Sequence, residues 1–167
     1  MNRLIVSPLE ASEETARARR PSHVVSLSAP GAAAPLLAGD HRRLALVFND
    51  IAEPREGLTP PTATDIQTLL DFAADWDGAR PMLIHCWAGV SRSTAAAYVV
   101  ACARSNPGRE AETAARLRSA APFATPNPLM IALADALLRR DGAMTRAIAA
   151  IGRGAETGLG AVFDLPC

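Results

Sequence analysis

The chain has 167 residues, of which 49% are hydrophobic, so it is long enough for one domain with a buried core, and global disorder is excluded. Its 17 basic and 17 acidic side chains cancel, which argues against binding to nucleic acid or to an anionic membrane. Three cysteines make no even disulfide framework, and no apolar run approaches the ~20 residues of a membrane span. We therefore expect a single domain over residues 1–167, cytoplasmic and monomeric.

Strand-like and helix-like patterns alternate through the first half of the chain. Short apolar runs predict strands at 3–7, 23–29, 44–48 and 81–85. Helical spacing of apolar residues and capping signals predict helices at 8–20, 62–76 and 91–104, the first of them capped by Ser7. The stretch 51–61 holds three prolines and a glycine and is predicted to be a loop.

The second half of the chain is predicted to be helical. Asn106-Pro107 and Asn127-Pro128 each place a capping residue before a proline, which is typical of a helix start. Asp141 is the expected cap of a last helix at 143–151. The tail 152–167 carries four glycines and is predicted to be loosely ordered.

Strands that alternate with helices predict an α/β fold, with a central, largely parallel sheet of about four to five strands flanked by helices. Ligands of such sheets bind outside the carboxyl ends of the strands. Asp50 and Cys86 both fall at predicted strand ends. The sequence therefore predicts that these two residues lie at the same edge of the sheet.

Residues 85–93, which read HCWAGVSRS, lie between the last predicted strand and an alanine-rich helix. A loop that enters a helix points backbone N–H groups inward and forms a nest for an anion. The helix N-terminus adds unpaired donors and a positive dipole. The seven residues from Cys86 to Arg92 are enough to wrap around one phosphate-sized anion.

The residue types in this loop favour nucleophilic chemistry on phosphorus. Helix N-termini and nearby cations favour the thiolate, so we expect Cys86 to attack as an anion near neutral pH. Arg92 can grip two phosphate oxygens at once, and Ser93 can donate a hydrogen bond to the sulfur. His85 is expected to fix the loop rather than to react, and Gly89 leaves room for the backbone to turn. The remaining candidate lining residues are Trp87, Ala88, Val90 and Ser91, with Trp87 equally compatible with the pocket mouth or the core.

A His-Cys pair, five residues and an Arg-Ser pair, set between a strand and a helix, resemble the signature of the protein tyrosine phosphatase superfamily. The compact chain is more similar to the dual-specificity branch than to the large tyrosine-specific domains. Low-molecular-weight phosphatases share the motif near their N-terminus, whereas here it lies in the middle of the chain, which disfavours that branch. The resemblance extends over residues 22–138.

The resemblance implies roles for residues outside the loop. Residues 23–27 resemble an early core strand of that branch, and Asp50, which precedes Cys86 by 36 positions (86 − 50), matches the position of the general acid. Asn127 resembles the asparagine that opens a late helix in these enzymes, and it is a candidate support for the loop. Glu53, Glu56 and Asp65 remain rival acids, although Asp65 also suits the first turn of a helix.

These observations predict a phosphomonoester hydrolase that forms a cysteinyl-phosphate. The expected substrate is phosphotyrosine in a protein, with small phosphate esters left open. No metal or other cofactor is required, because the loop and Arg92 supply the positive charge. Two alternatives remain, a module that binds phosphate esters with little turnover and a rhodanese-like sulfurtransferase. Cys102, among alanines of a helix, is expected to be a core residue.

Overall fold

The computed structural model describes residues 2–167, which contain five strands and six helices. The strands are β1 (Arg3–Pro8), β2 (His23–Ser28), β3 (Arg42–Val47), β4 (Met82–Cys86) and β5 (Phe163–Pro166). The helices are α1 (Leu9–Arg19), α2 (Ala63–Ala74), α3 (Arg92–Ala103), α4 (Glu110–Ala120), α5 (Pro128–Leu137) and α6 (Ala143–Ile151). Within residues 2–167, no helix combines the length and apolar character that crossing a bilayer requires.

The strands form one sheet in the order β3-β2-β4-β1-β5. β1, β2, β3 and β4 run parallel, and β5 alone is antiparallel to its neighbour β1. β4 lies at the centre, and all five of its residues are buried, as expected for a parallel strand with both faces covered. The predicted α/β fold with a largely parallel sheet is therefore confirmed.

Each face of the sheet packs against helices because successive side chains of a strand point to opposite faces. On one face, Ile5 and Leu83 pack with Ala16 of α1. On the other face, Val6 and Ile84 join a larger core. The other five helices contribute to it through Ile66, Leu69, Tyr98, Leu117, Ile131 and Met144.

The tail is ordered, which corrects the expectation that residues 152–167 are loosely ordered. β5 pairs with the outer edge of β1, where Phe163 and Leu165 are buried and Asp164 receives two hydrogen bonds from Arg19, at 2.7 and 2.8 Å. The strand satisfies backbone groups of β1 that would otherwise be unpaired at a sheet edge. The strand was not predicted because it has only four residues with two alternating apolar side chains, and the four glycines before it indicate a loop.

Three predicted helix caps are also wrong. β1 continues through Pro8, so Ser7 lies in the strand with its hydroxyl buried and without a hydrogen-bond partner. α4 begins at Glu110 rather than after Asn106. At α6 the N-cap is Gly142, and the carboxylate that accepts from the N–H groups of Gly142 and Met144, each at 2.7 Å, belongs to Asp135. Such a partner seven or nine positions away leaves no local sequence signal.

Candidate active site

Cys86 is the last residue of β4, and Arg92 is the first residue of α3. The five residues between them form a bend with no regular secondary structure. Because β4 is the central strand, its carboxyl end holds Cys86 at the middle of the sheet edge, where only 3% of the residue is exposed. This is the edge at which parallel α/β sheets bind ligands.

Carbonyl groups of this loop are tied to segments that surround it. A planar trans peptide directs its C=O and N–H to opposite sides, so a carbonyl fixed outward turns the following N–H inward. Within residues 2–167, none of the N–H groups of residues 88–92 donates to a protein acceptor. Successive amides without a protein acceptor are the groups from which an anion nest is built. The four outward bonds run from Leu9 N to Trp87 O (3.1 Å), Gly160 N to Ala88 O (2.7 Å), Thr125 N to Val90 O (3.0 Å) and Asn127 N to Ser91 O (3.3 Å).

Gly89 is the position where the loop turns most sharply. Its φ of 70° lies in the left-handed region that favours glycine. A Cβ atom added there would lie 2.7 Å from the backbone nitrogen of Pro8. The loop therefore packs directly against the end of β1, and only glycine fits both the torsion angle and the space.

Arg92 is only 7% exposed, and its guanidinium group is partly satisfied by the protein. Nη1 donates to the carbonyl of Phe48 at 2.9 Å, which fixes the orientation of the planar group. Nε is buried without a partner. A buried, unsatisfied donor is costly, so this atom is suited to a ligand oxygen.

Cys86 and Arg92 line the same cavity, which has a volume of about 450 Å³. The Sγ atom of Cys86 lies 3.1 Å from the hydroxyl oxygen of Ser93, within range of a hydrogen bond to sulfur. Away from the sulfur the walls are apolar, formed mainly by Leu9, Leu27, Ala29, Ala32, Ala33, Ala34 and Pro35. The cavity therefore combines the thiol and guanidinium groups of Cys86 and Arg92 with mainly apolar walls.

Asp50 lies beside the loop, just beyond β3. Its Oδ1 atom accepts hydrogen bonds from the hydroxyl of Ser91 at 2.8 Å and from Nδ2 of Asn127 at 2.7 Å. The rival Asp65 is engaged in the capping box of α2 with Thr62. The other rivals, Glu53 and Glu56, are exposed, and neither side chain bonds to the loop within residues 2–167. Of the four candidates, Asp50 is the one that contacts the loop.

Asn127 joins three parts of the structure. Its Oδ1 atom caps α5 by accepting from Met130 N at 3.0 Å, as its position before Pro128 predicts. Its Nδ2 atom donates to Asp50 and to the carbonyl of Ile51 at 3.1 Å. The helix start, the loop and the segment after β3 are thereby held together.

His85 precedes Cys86 in β4, borders the same cavity and is 2% exposed. Its Nε2 atom lies 2.7 Å from the hydroxyl of Ser26 on β2. Burial lowers the pKa of His85 to about 4, so the ring is neutral at physiological pH. A neutral ring bonded to the neighbouring strand supports the loop and carries no charge into the site.

Two further residues differ in their exposure. Trp87 is 70% exposed and borders a shallow groove with Leu9, Glu10 and Leu159, so it lies at the rim of the site and not in the core. Cys102 is completely buried, and burial raises the pKa of its thiol to about 11. Within residues 2–167, no three metal-ligating side chains come together.

Sequence reasoning missed five contributors to the site, Leu9, Ser26, Phe48, Thr125 and Gly160. Phe48 and Thr125 contribute through backbone atoms, which any residue type could supply. Gly160 lies in a segment that was expected to be loosely ordered. Only Thr125 carried a signal, because it stands two positions before Asn127.

No family model matches this chain, and no curated protein matches it in sequence. Its fold is that of the dual-specificity phosphatases. The crystal structure of DUSP15 aligns with a TM-score of 0.58 and 15% identity, covering 91% of this chain and 92% of that one. PTPMT1 in complex with PI(5)P aligns with a TM-score of 0.55 and 16% identity, covering 87% and 90% of the two chains. The Yvh1 phosphatase domain from Chaetomium thermophilum aligns with a TM-score of 0.56 and 15% identity, covering 86% and 99%.

Proposed function

We propose that this protein is a cysteine-dependent phosphatase that hydrolyses phosphomonoesters through a cysteinyl-phosphate intermediate. The observation that carries the proposal is the arrangement of Cys86 and Arg92. Both line one cavity, and the backbone N–H groups of residues 88–91, in the loop between them, have no acceptor within residues 2–167. The similarity of fold to solved phosphatases supports the same conclusion.

Substrate binding uses the positive end of the site. The loop N–H groups donate hydrogen bonds to the phosphoryl oxygens, and the free Nε of Arg92 supplies a charged donor. Because Nη1 is already held by Phe48, little reorganisation is needed when the substrate arrives. The phosphorus atom then lies in line with Sγ of Cys86.

The first chemical step transfers the phosphoryl group to sulfur. The thiolate of Cys86 forms a P–S bond while the bond from phosphorus to the ester oxygen breaks. Asp50, protonated in the bound complex, donates its proton to that oxygen. The charge on the three equatorial oxygens is stabilised by the amides and by Arg92.

The second step releases phosphate. A water molecule attacks phosphorus, its proton passes to Asp50, and the P–S bond breaks to return the thiolate. The hydroxyl of Ser93, 3.1 Å from the sulfur, donates to the departing thiolate and favours its release. One carboxyl group thus serves as the acid and then as the base.

The leading substrate class is phosphotyrosine in proteins. Among the described residues that line the cavity, Arg92 is the one cation, and the walls are mainly alanine, leucine and proline. Such walls suit an apolar aryl group better than a headgroup with several phosphates. We assign the activity to one phosphatase domain spanning residues 1–167, acting as a monomer in the cytoplasm, where its free thiols stay reduced.

The test compares hydrolysis of p-nitrophenyl phosphate and phenyl phosphate by four proteins. Wild type should hydrolyse both and be inhibited by vanadate, and Cys86→Ser should hydrolyse neither. Asp50→Ala should lose at least about a hundredfold on phenyl phosphate but much less on the activated ester, because only a poor leaving group needs the proton. Glu53→Ala, which removes an exposed carboxylate nearby, is the matched control and should resemble wild type.

Three results would contradict the proposal. Tight binding of phosphopeptide without turnover would indicate a binding module. Thiocyanate formation from thiosulfate and cyanide, without phosphatase activity, would indicate a sulfurtransferase. Equal losses on both esters for Asp50→Ala would remove Asp50 from the role of acid.

A further inference from the structure

The segment 152–160, which we term the C-terminal strap, reaches the loop at its last residue. Gly160, at its end, is buried, and its N–H donates to the carbonyl of Ala88 at 2.7 Å. A Cβ atom at Gly160 would lie 2.9 Å from the carbonyl oxygen of Gly89 and 2.6 Å from Cε2 of Phe123. The backbone at residue 160 therefore lies too close to its neighbours for any residue other than glycine to fit without a shift.

The start of the C-terminal strap is anchored by Arg118 of α4. Nη2 of Arg118 donates to Gly152 O at 2.7 Å, and Nη1 donates to Pro122 O at 2.7 Å and Ala124 O at 2.9 Å. Gly154 N donates to the hydroxyl of Thr125 at 3.1 Å. One guanidinium group thereby joins the C-terminal strap to the segment before α5, which itself bonds to the loop.

We propose that the C-terminal strap positions the Ala88–Gly89 peptide for anion binding, with Gly160 as the positioning residue. The bond from Gly160 turns the Ala88 carbonyl outward, so the N–H of Gly89 is directed into the anion site. Gly160 touches no substrate and acts through this one peptide. The inference rests on the proposed function and goes beyond it, because it assigns part of phosphate recognition to a segment outside the loop and its helix.

Coupling between the C-terminal strap and the anion site must be reciprocal. If the C-terminal strap favours the conformation that binds the anion, then the bound anion must stabilise the contact of the C-terminal strap by the same free energy. Anion binding should therefore slow local opening of the bond between Gly160 and Ala88. A contact that merely completes the fold would gain only the protection that anion binding gives to the whole domain.

The first experiment compares Gly160→Ala with Gly158→Ala. Gly158 lies in the same segment, has no atom within 4 Å of an added Cβ, and has no positive φ. Gly160→Ala should weaken vanadate inhibition at least about tenfold and lower kcat/KM similarly, because one oriented donor is displaced. Affinity for inorganic phosphate should fall less, since vanadate mimics the transition state, and Gly158→Ala should match wild type.

Thermal unfolding separates positioning from folding. A purely structural role would lower the melting temperature of Gly160→Ala while the ratio of vanadate to phosphate affinity stayed at the wild-type value. That result, or vanadate inhibition equal to that of Gly158→Ala, overturns the inference.

The second experiment needs no variant and covers the case in which Gly160→Ala does not fold. Amide hydrogen exchange of wild type, measured by NMR with and without vanadate, should show added protection at Gly160 and none at Gly158. Equal exchange at Gly160 in both samples overturns the inference while phosphatase activity still stands. Absence of both hydrolysis and vanadate binding in wild type instead refutes the proposed function, and the inference falls with it.

Discussion

Asp50 is exposed, and only one of its two carboxylate oxygens accepts hydrogen bonds from the described residues of the protein. Oδ1 accepts from Ser91 and Asn127, whereas Oδ2 makes no hydrogen bond within residues 2–167. Two donors on Oδ1 leave Oδ2 as the atom that can carry and transfer a proton. The position of the carboxyl group is thus set by Ser91 of the loop and by Asn127.

His85 should make stability depend on pH. Its pKa is lowered by burial from 6.5 to about 4 in the folded protein. Between those values the unfolded chain binds a proton that the folded chain does not, so its contribution is complete above about pH 6.5 and is lost as the pH falls toward about 4. The shift corresponds to about 3 kcal/mol.

Urea unfolding of wild type and His85→Gln at about pH 7 and about pH 4.5 measures this contribution. Wild type should lose more free energy of unfolding than the variant over that interval, by about 2–3 kcal/mol. An equal loss in both proteins would show that the buried ring of His85 is not the group that titrates.

At the scale of elements, Asn127 links the start of α5 to Asp50, the proposed acid. Asn127→Ser should keep a capping oxygen but cannot reach Asp50, so we expect kcat to fall about tenfold with little change in melting temperature. Asn127→Ala should show the same loss of kcat and also lose about 1 kcal/mol of stability. A wild-type kcat for the serine variant would contradict this account.

The strands and the loop could be predicted because their signals are local. β4 is a continuous apolar run, and the residues between Cys86 and Arg92 are neighbours along the chain. The helix cap from Asp135 and the pairing of β5 were missed because both depend on contacts between segments distant in sequence. In β5 the alternation of Phe163 and Leu165 became meaningful only beside the open edge of β1.

For the whole molecule, local sequence signals predict the candidate reactive residues, whereas the contacts that hold the loop in place come from distant segments. The groups proposed to react were predicted from one short motif and from the resemblance that it carries. The four bonds that turn the loop amides inward come from the start of α1, the segment before α5 and the C-terminal strap. No local pattern specifies these contacts, because they form only when the whole domain has folded.

A buried ion pair ties the helical half together. Arg140 donates to Glu110 at 2.7 Å, with side chains only 6% and 4% exposed, and also bonds to the carbonyls of Cys102 and Ser105 near the end of α3. Arg140→Met leaves a buried carboxylate unpaired and should cost about 3–5 kcal/mol in urea unfolding. Adding Glu110→Gln to that variant should restore part of the loss.

The exposed pair of Arg109 and Glu112 is the matched control. Its side chains are 56% and 44% exposed, and Arg109→Met should cost less than about 1 kcal/mol. Similar losses in the free energy of unfolding for Arg109→Met and Arg140→Met would show that burial of the ion pair does not determine its contribution.

The most direct measurement is mass spectrometry of the enzyme after acid quenching during turnover of an aryl phosphate. Wild type should carry one phosphoryl group on the peptide that contains Cys86, and Cys86→Ser should carry none on that residue. Phosphate release without a phosphorylated Cys86, or a phosphoryl group on another side chain, would contradict attack by this sulfur.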